Sequence, residues 1–156
     1  MKAQKRIGVF ETNSSSTHSI CIPKEDTEME LPKQLHLGLG EFGWECDTLD
    51  SIAEKASYLY TGLTCNQRYE DIVSIIEILQ GKGIGVTSEK ESDTKYFYVD
   101  HSNEMQEFLD AVCSDEDKLL RFLFSPMAFI ITGNDNDDED VDIEVSYEHD
   151  EYYKGN

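Results

Sequence analysis

The sequence predicts an α+β domain, a mixed or antiparallel sheet with about four helices. Short β-rich runs such as Gln34-Leu35-His36-Leu37 and Ala128-Phe129-Ile130-Ile131 recur along the chain. Between them lie paired segments with apolar residues at helical spacing. The strands do not alternate regularly with single helices, so a βαβ architecture is not indicated.

Taken in order, the segment from Arg6 to Ile22 sets β-like pieces around a polar cassette, and Pro23 closes it. The cassette, Glu11-Thr12-Asn13-Ser14-Ser15-Ser16-Thr17-His18-Ser19, is placed on a loop or strand edge. After the acidic connector Lys24 to Glu30, residues 34–37 read as a strand and Gly38 to Gly43 as a turn. A first helix follows from Leu49, Ile52, Ala53, Ala56, Leu59 and Tyr60 on one face, with Asp47 or Thr48 as its cap and Gly62 as its end. Tyr69, Ile72, Val73, Ile76 and Leu79 repeat the pattern up to Gly81 and Gly83, which makes the pair a helical hairpin. Ile84 to Val86 and Tyr96 to Val99 read as a β-hairpin around a polar turn. Ser102 is expected to cap a third helix through Met105, Phe108, Leu109 and Val112. Ser114 with Asp117 forms the pattern of a capping box for a fourth, apolar helix that runs to Pro126. Strands over 128–131 and from Val141 to Tyr147 complete the reading.

The 156 residues suffice for one domain with a real core, and no composition shift marks a second. Residues 1–156 are therefore read as a single domain, with an acidic loop at 133–140 and an acidic C-terminal tail at 148–156. A formal charge of −20 opposes direct, sequence-independent binding to nucleic acid, whose phosphates would be repelled. A basic protein is the more natural partner. No apolar run long enough to span a membrane is present, and a cytoplasmic location is expected. Cys21, Cys46, Cys65 and Cys113 are widely spaced, without a Cys-x-x-Cys pair, and read as reduced thiols rather than zinc or redox centres.

Gly38-x-Gly40-x-x-Gly43 matches the dinucleotide-binding spacing, but Trp44-Glu45-Cys46 separates it from the next helix and Leu63 stands near the place of the acidic ribose partner. Tight turning beside Phe42 and Trp44 is the simpler use of these glycines, and Trp44 is a candidate partner-binding anchor. The loop carrying Asp135, Asp137, Asp138, Glu139 and Asp140 has the carboxylates of a calcium site but not the EF-hand glycine or closing glutamate. With Asp142 and Glu144 it forms a negative stretch able to mimic a phosphate ladder before a basic groove.

In the cassette, Glu11, Asn13, Ser14, Ser15, Ser16, Thr17 and His18 are the candidate ligand-binding residues, since hydroxyls around one imidazole suit a phosphate or a partner's backbone. A nucleophile and base pair of His18 with a neighbouring serine, the ring oriented by Glu11 or Asp100, lacks the usual Gly-x-Ser-x-Gly turn. Binding is therefore expected rather than catalysis, and no catalytic residue is assigned. His36, His101 and His149 are scattered, and His18 with Cys21 supplies only two ligands, so no metal or cofactor is expected.

Residues 8–19, from Gly8-Val9-Phe10-Glu11 through Thr17-His18-Ser19, resemble the opening signature of small uncharacterised proteins of bacteriophages and prophages. Glu41-Phe42-Gly43-Trp44-Glu45, Lys55-Ala56-Ser57-Tyr58-Leu59-Tyr60 and Thr132-Gly133-Asn134-Asp135-Asn136 look like further pieces of the same pattern. The resemblance implies a viral protein acting in the cytoplasm of a bacterial host. Joined to the negative charge, it leads to the expectation of a small binding protein, in its sharper form an inhibitor of a host defence or nucleic-acid-binding protein. The alternatives are a nucleotide or phosphate sponge or phosphoester enzyme using the cassette, and a virion or housekeeping component.

Overall fold

The computed structural model describes residues 16–43, 47–94, 96–134 and 150–155. Strand β1 (Ser16–Pro23) sets His18, Ile20 and Ile22 on one face and Ser19 and Cys21 on the other, all five buried, and Pro23, which has no N–H to donate, ends it. It pairs antiparallel with β7 (Phe129–Asn134) on one side and β8 (Asp150–Gly155) on the other. Strand β4 (Asp47–Leu49) adds to β7, giving the order β4-β7-β1-β8. Leu49, Ile130, Ile20 and Tyr153 are successive partners across this sheet and form one inward row. His18 and Thr132 belong to the next row on the same face.

Helix α1 (Ile52–Cys65) lies at the centre, against α2 (Tyr69–Gly81), α3 (Gln106–Ser114) and α4 (Glu116–Phe124). Beyond it stand two small parallel ladders, β2 (Gln34–Leu37) with β5 (Gly85–Ser88), and β3 (Glu41–Phe42) with β6 (Tyr98–Val99). Tyr58, Leu63, Leu79, Leu109, Phe122, Leu123 and Ile130 are almost wholly removed from water in one connected core. Each such side chain contributes about 1.5–3 kcal/mol of transfer free energy. The α+β class read from the sequence is the one observed. Among the described residues, no helix is long and apolar enough to cross a membrane.

Local departures from the sequence reading have identifiable causes. Of the cassette's last residues, His18 and Ser19 lie inside the sheet rather than on a loop or strand edge, because β8 pairs with the side of β1 that β7 leaves open, whereas Ser16 and Thr17 pair with β7 alone. Asp47 and Thr48 do not cap α1, since they pair with Thr132 and Ile131 in β4. Ser51 caps it instead, accepting from the Glu54 amide while Glu54 reaches back to the Ser51 amide. Gly62 does not end the helix. A Cβ there would stand 2.5 Å from Met105 Cε, so glycine allows Met105 to approach α1 closely.

The buried face of α2 is carried by Ile75 and Leu79, while Tyr69 and Val73 are exposed. Residues 38–43 are not a simple turn, because Glu41 and Phe42 pair with Tyr98 and Val99. The expected hairpin of 84–86 with 96–99 is absent. Its two halves join different parallel partners, anchored by Gly85 N to Lys33 O at 2.8 Å and Tyr98 N to Gly40 O at 2.9 Å. Ser102 starts a short 3-10 helix (Ser102–Met105) without making a side-chain cap. Asp115, not Ser114, caps α4 by accepting from Lys118 N. Within the expected acidic tail, residues 150–155 form β8. The expected strand from Val141 to Tyr147 lies outside the described residues.

Candidate functional site: an acidic cleft beside His18

Alternation along β1 directs His18 to the same side as Ile20, toward the helices. The imidazole is only 5% exposed, and its Nδ1 lies 2.9 Å from the hydroxyl of Tyr58, a residue of α1 with no exposed surface. Burial holds the Tyr58 phenol protonated far above its ordinary range. One hydrogen bond joins its hydroxyl to Nδ1, with donor and acceptor set by the ring tautomer. Burial also pushes the His18 pKa down from 6.5, against the attraction of Asp100; nearby His101 lowers it further, and the Gly43 backbone favours the charged form.

Aromatic contacts fix the floor. Tyr58 meets Phe42 edge-on at 5.4 Å between ring centroids, and Phe108 meets Tyr153 at 6.0 Å. The far wall is the segment that follows β6. His101 adopts the left-handed conformation (φ 55°), which turns the chain out of β6 into the 3-10 helix at a cost of about 1–2 kcal/mol. Asn66, at the end of α1, donates to the Ser102 carbonyl at 2.8 Å and accepts from Gln106 Nε2 at 2.7 Å, tying this wall to the helix that carries Tyr58.

These elements enclose a cleft whose lining includes His18, Tyr58, Asp100, His101, Glu104 and Glu107. Met105, Phe108, Tyr153 and Ile20 also line it, and neither Lys nor Arg is among its described lining residues. The His101 ring stands 3.9 Å from Asp100 Oδ2 and 4.0 Å from Glu104 Oε1, both too long for hydrogen bonds. Among the described residues, Asp100 Oδ2 and His18 Nε2 are buried without a hydrogen-bond partner. The cleft leaves about 40 Å³ for the centres of water-sized groups, room for a small polar head and far short of a nucleotide.

Of the residues singled out in the sequence, His18 enters this cleft. Asp100, considered there as an orienting acid, lines it too. Ser16 and Thr17 pair with Asn134 and Gly133 in the sheet. Glu11, Asn13, Ser14, Ser15 and Trp44 lie outside the described residues, as do Asp135, Asp137, Asp138, Glu139, Asp140, Asp142 and Glu144. Cys21, three residues from His18 on a strand, is buried on the opposite face of the sheet and cannot share a metal with it. His36 is held by Thr87 Oγ1 at 2.8 Å, away from the cleft. Among the described residues, no group of three or more His, Cys, Asp or Glu side chains is arranged to hold a metal ion. His101, Glu104 and Glu107 were not anticipated. Glu104 and Glu107, three residues apart, share one side of the helical segment that follows the left-handed turn at His101, and the turn places them beside Asp100.

Comparisons with models of protein families, with characterised proteins and with solved structures each found no match.

Proposed function

We propose that the chain is a small acidic binding protein that engages a basic protein partner in a bacterial cytoplasm, in the phage setting implied by its N-terminal signature. An inhibitor of a host defence or nucleic-acid-binding protein is the form this takes. The observation that carries the reading is the acidic lining of the cleft beside His18, where Asp100, Glu104 and Glu107 stand without a Lys or Arg among the described lining residues. A field of this sign attracts basic surfaces and repels phosphates. It supports a basic partner over an anionic ligand at His18. The net charge of −20 extends the same preference to the whole molecule, including Asp137, Asp138 and Asp140.

The test is capture of proteins from bacterial lysate by the immobilised chain at low and high salt, followed by titration of the identified partner. Affinity should fall steeply as salt rises, and Asp137→Asn, Asp138→Asn and Asp140→Asn together should weaken it. A partner whose affinity ignores both changes would refute electrostatic capture. A nucleotide that co-purifies and is lost with His18→Ala would move the function to the cassette.

A further inference from the structure

We propose that the His18 cleft is a socket for the cationic end of one arginine or lysine side chain of the partner. The inference rests on the basic-partner reading above and names the place where that partner is gripped. The cleft's size comes first. Its roughly 40 Å³ is room for a guanidinium or ammonium head. Its charge comes second. The carboxylates of Asp100, Glu104 and Glu107 line it, and His101, between Asp100 and Glu104, carries the nearest compensating charge only when protonated.

Unfilled bonding capacity is a third and independent sign. Asp100 Oδ2 is buried without a hydrogen-bond partner among the described residues. A buried carboxylate oxygen with no donor is an unfavourable arrangement that an entering N–H group relieves. The neutral His18 ring adds no positive charge against the ligand. The aromatic walls suit the same occupant, since a cation is attracted to the faces of Tyr and Phe rings. Tyr153 already illustrates this on its other contact, where Lys118 Nζ lies 3.3 Å from its hydroxyl and 6.0 Å from its ring centre.

The experiment titrates the full chain with N-acetyl-arginine methylamide, N-acetyl-lysine methylamide and the neutral N-acetyl-citrulline methylamide, following the ring signals of His18 and His101 by NMR. The two cationic probes should shift both signals saturably, with a Kd on the order of 1–10 mM. Citrulline should bind at least about fivefold more weakly, and Glu104→Gln with Glu107→Gln should weaken the cationic probes by about the same factor. Neutralising exposed Glu70 and Glu77 on α2 is the control and should leave the response unchanged.

Equal responses to arginine and citrulline, or an equal loss in the α2 control, would overturn the socket. A chain that still captures a basic protein in low salt while its cleft ignores the cationic probes overturns the socket alone. A saturable, charge-selective cleft response in a chain that captures no basic protein supports the socket and removes the partner reading.

Discussion

His18 Nδ1 and the Tyr58 hydroxyl stand 2.9 Å apart, joining the central strand to the central helix across 40 residues of sequence. Both groups are buried, so each is the other's replacement for water. Tyr58→Phe keeps the ring and its packing against Phe42 and Phe108 but leaves Nδ1 without its partner. Unfolding in urea should show a loss of about 1–3 kcal/mol. A change below about 0.5 kcal/mol would mean that the imidazole finds another partner.

The same burial gives the fold a dependence on acid. The His18 pKa is depressed below 6.5 chiefly by burial, so below that pH the unfolded chain takes up a proton that the folded ring refuses. Stability contributed at this position is whole above 6.5 and declines as pH falls through the interval down to the folded pKa. Protonation of surface carboxylates relieves the repulsion of a chain with net charge −20 and acts in the opposite sense. The difference between the wild type and His18→Gln, followed by urea midpoints from about pH 5 to 8, isolates the histidine. That difference should narrow toward low pH, and a constant difference would refute the assignment.

Lys55 shows the complementary behaviour on the alkaline side. Its side chain is fully buried and donates to the carbonyls of Ser125 at 2.7 Å and Ala128 at 3.1 Å, closing the loop between α4 and β7. Burial pushes its pKa from 10.5 down to about 8, with Asp50 opposing. Between those values the unfolded chain holds a proton that the folded chain has released, so stability rises with pH across the window. Below about 8 the cost of burying the charge is fully present. Lys55→Met should remove this rise, at the expense of its two hydrogen bonds, after which the Ser125 carbonyl keeps only the Ala128 amide at 3.1 Å. Parallel slopes for the two proteins in thermal melts at about pH 7.5 to 10.5 would show that the amine titrates normally.

Strong local periodicity made much of this architecture legible. Residues 34–37 alternate and form β2, and the apolar repeat ending at Gly81 forms α2. What escaped was set by distant pairing. Asp47 to Leu49 read as the start of a helix, yet their amides and carbonyls are claimed by residues 130–132. Nothing near Ile84 or Tyr96 announces that one joins a strand at residue 34 and the other a strand at residue 41. The cleft divides in the same way. His18 stood out because an imidazole amid hydroxyls is unusual, whereas no local motif marks Glu104 or Glu107. Only the left-handed turn at His101 brings them against the sheet.

The two glycines that close α2 should respond in opposite directions to the same substitution. Gly83 has φ +85°, a region that penalises a Cβ, and its amide donates to Gln80 O at 3.0 Å while Ile84 N donates to Leu79 O at 3.1 Å. This is the Schellman pattern, with Ile84 buried in the core as its apolar anchor. Gly83→Ala should therefore cost about 1 kcal/mol. Gly81 belongs to the helix proper, and a Cβ there meets nothing within 4 Å. Gly81→Ala gains helix propensity and restricts the unfolded chain, for a stabilisation of about 0.5–1 kcal/mol. Chemical denaturation of both variants reads the contrast directly. If the two alanines shifted the midpoint the same way, the left-handed turn at Gly83 would not be what ends the helix.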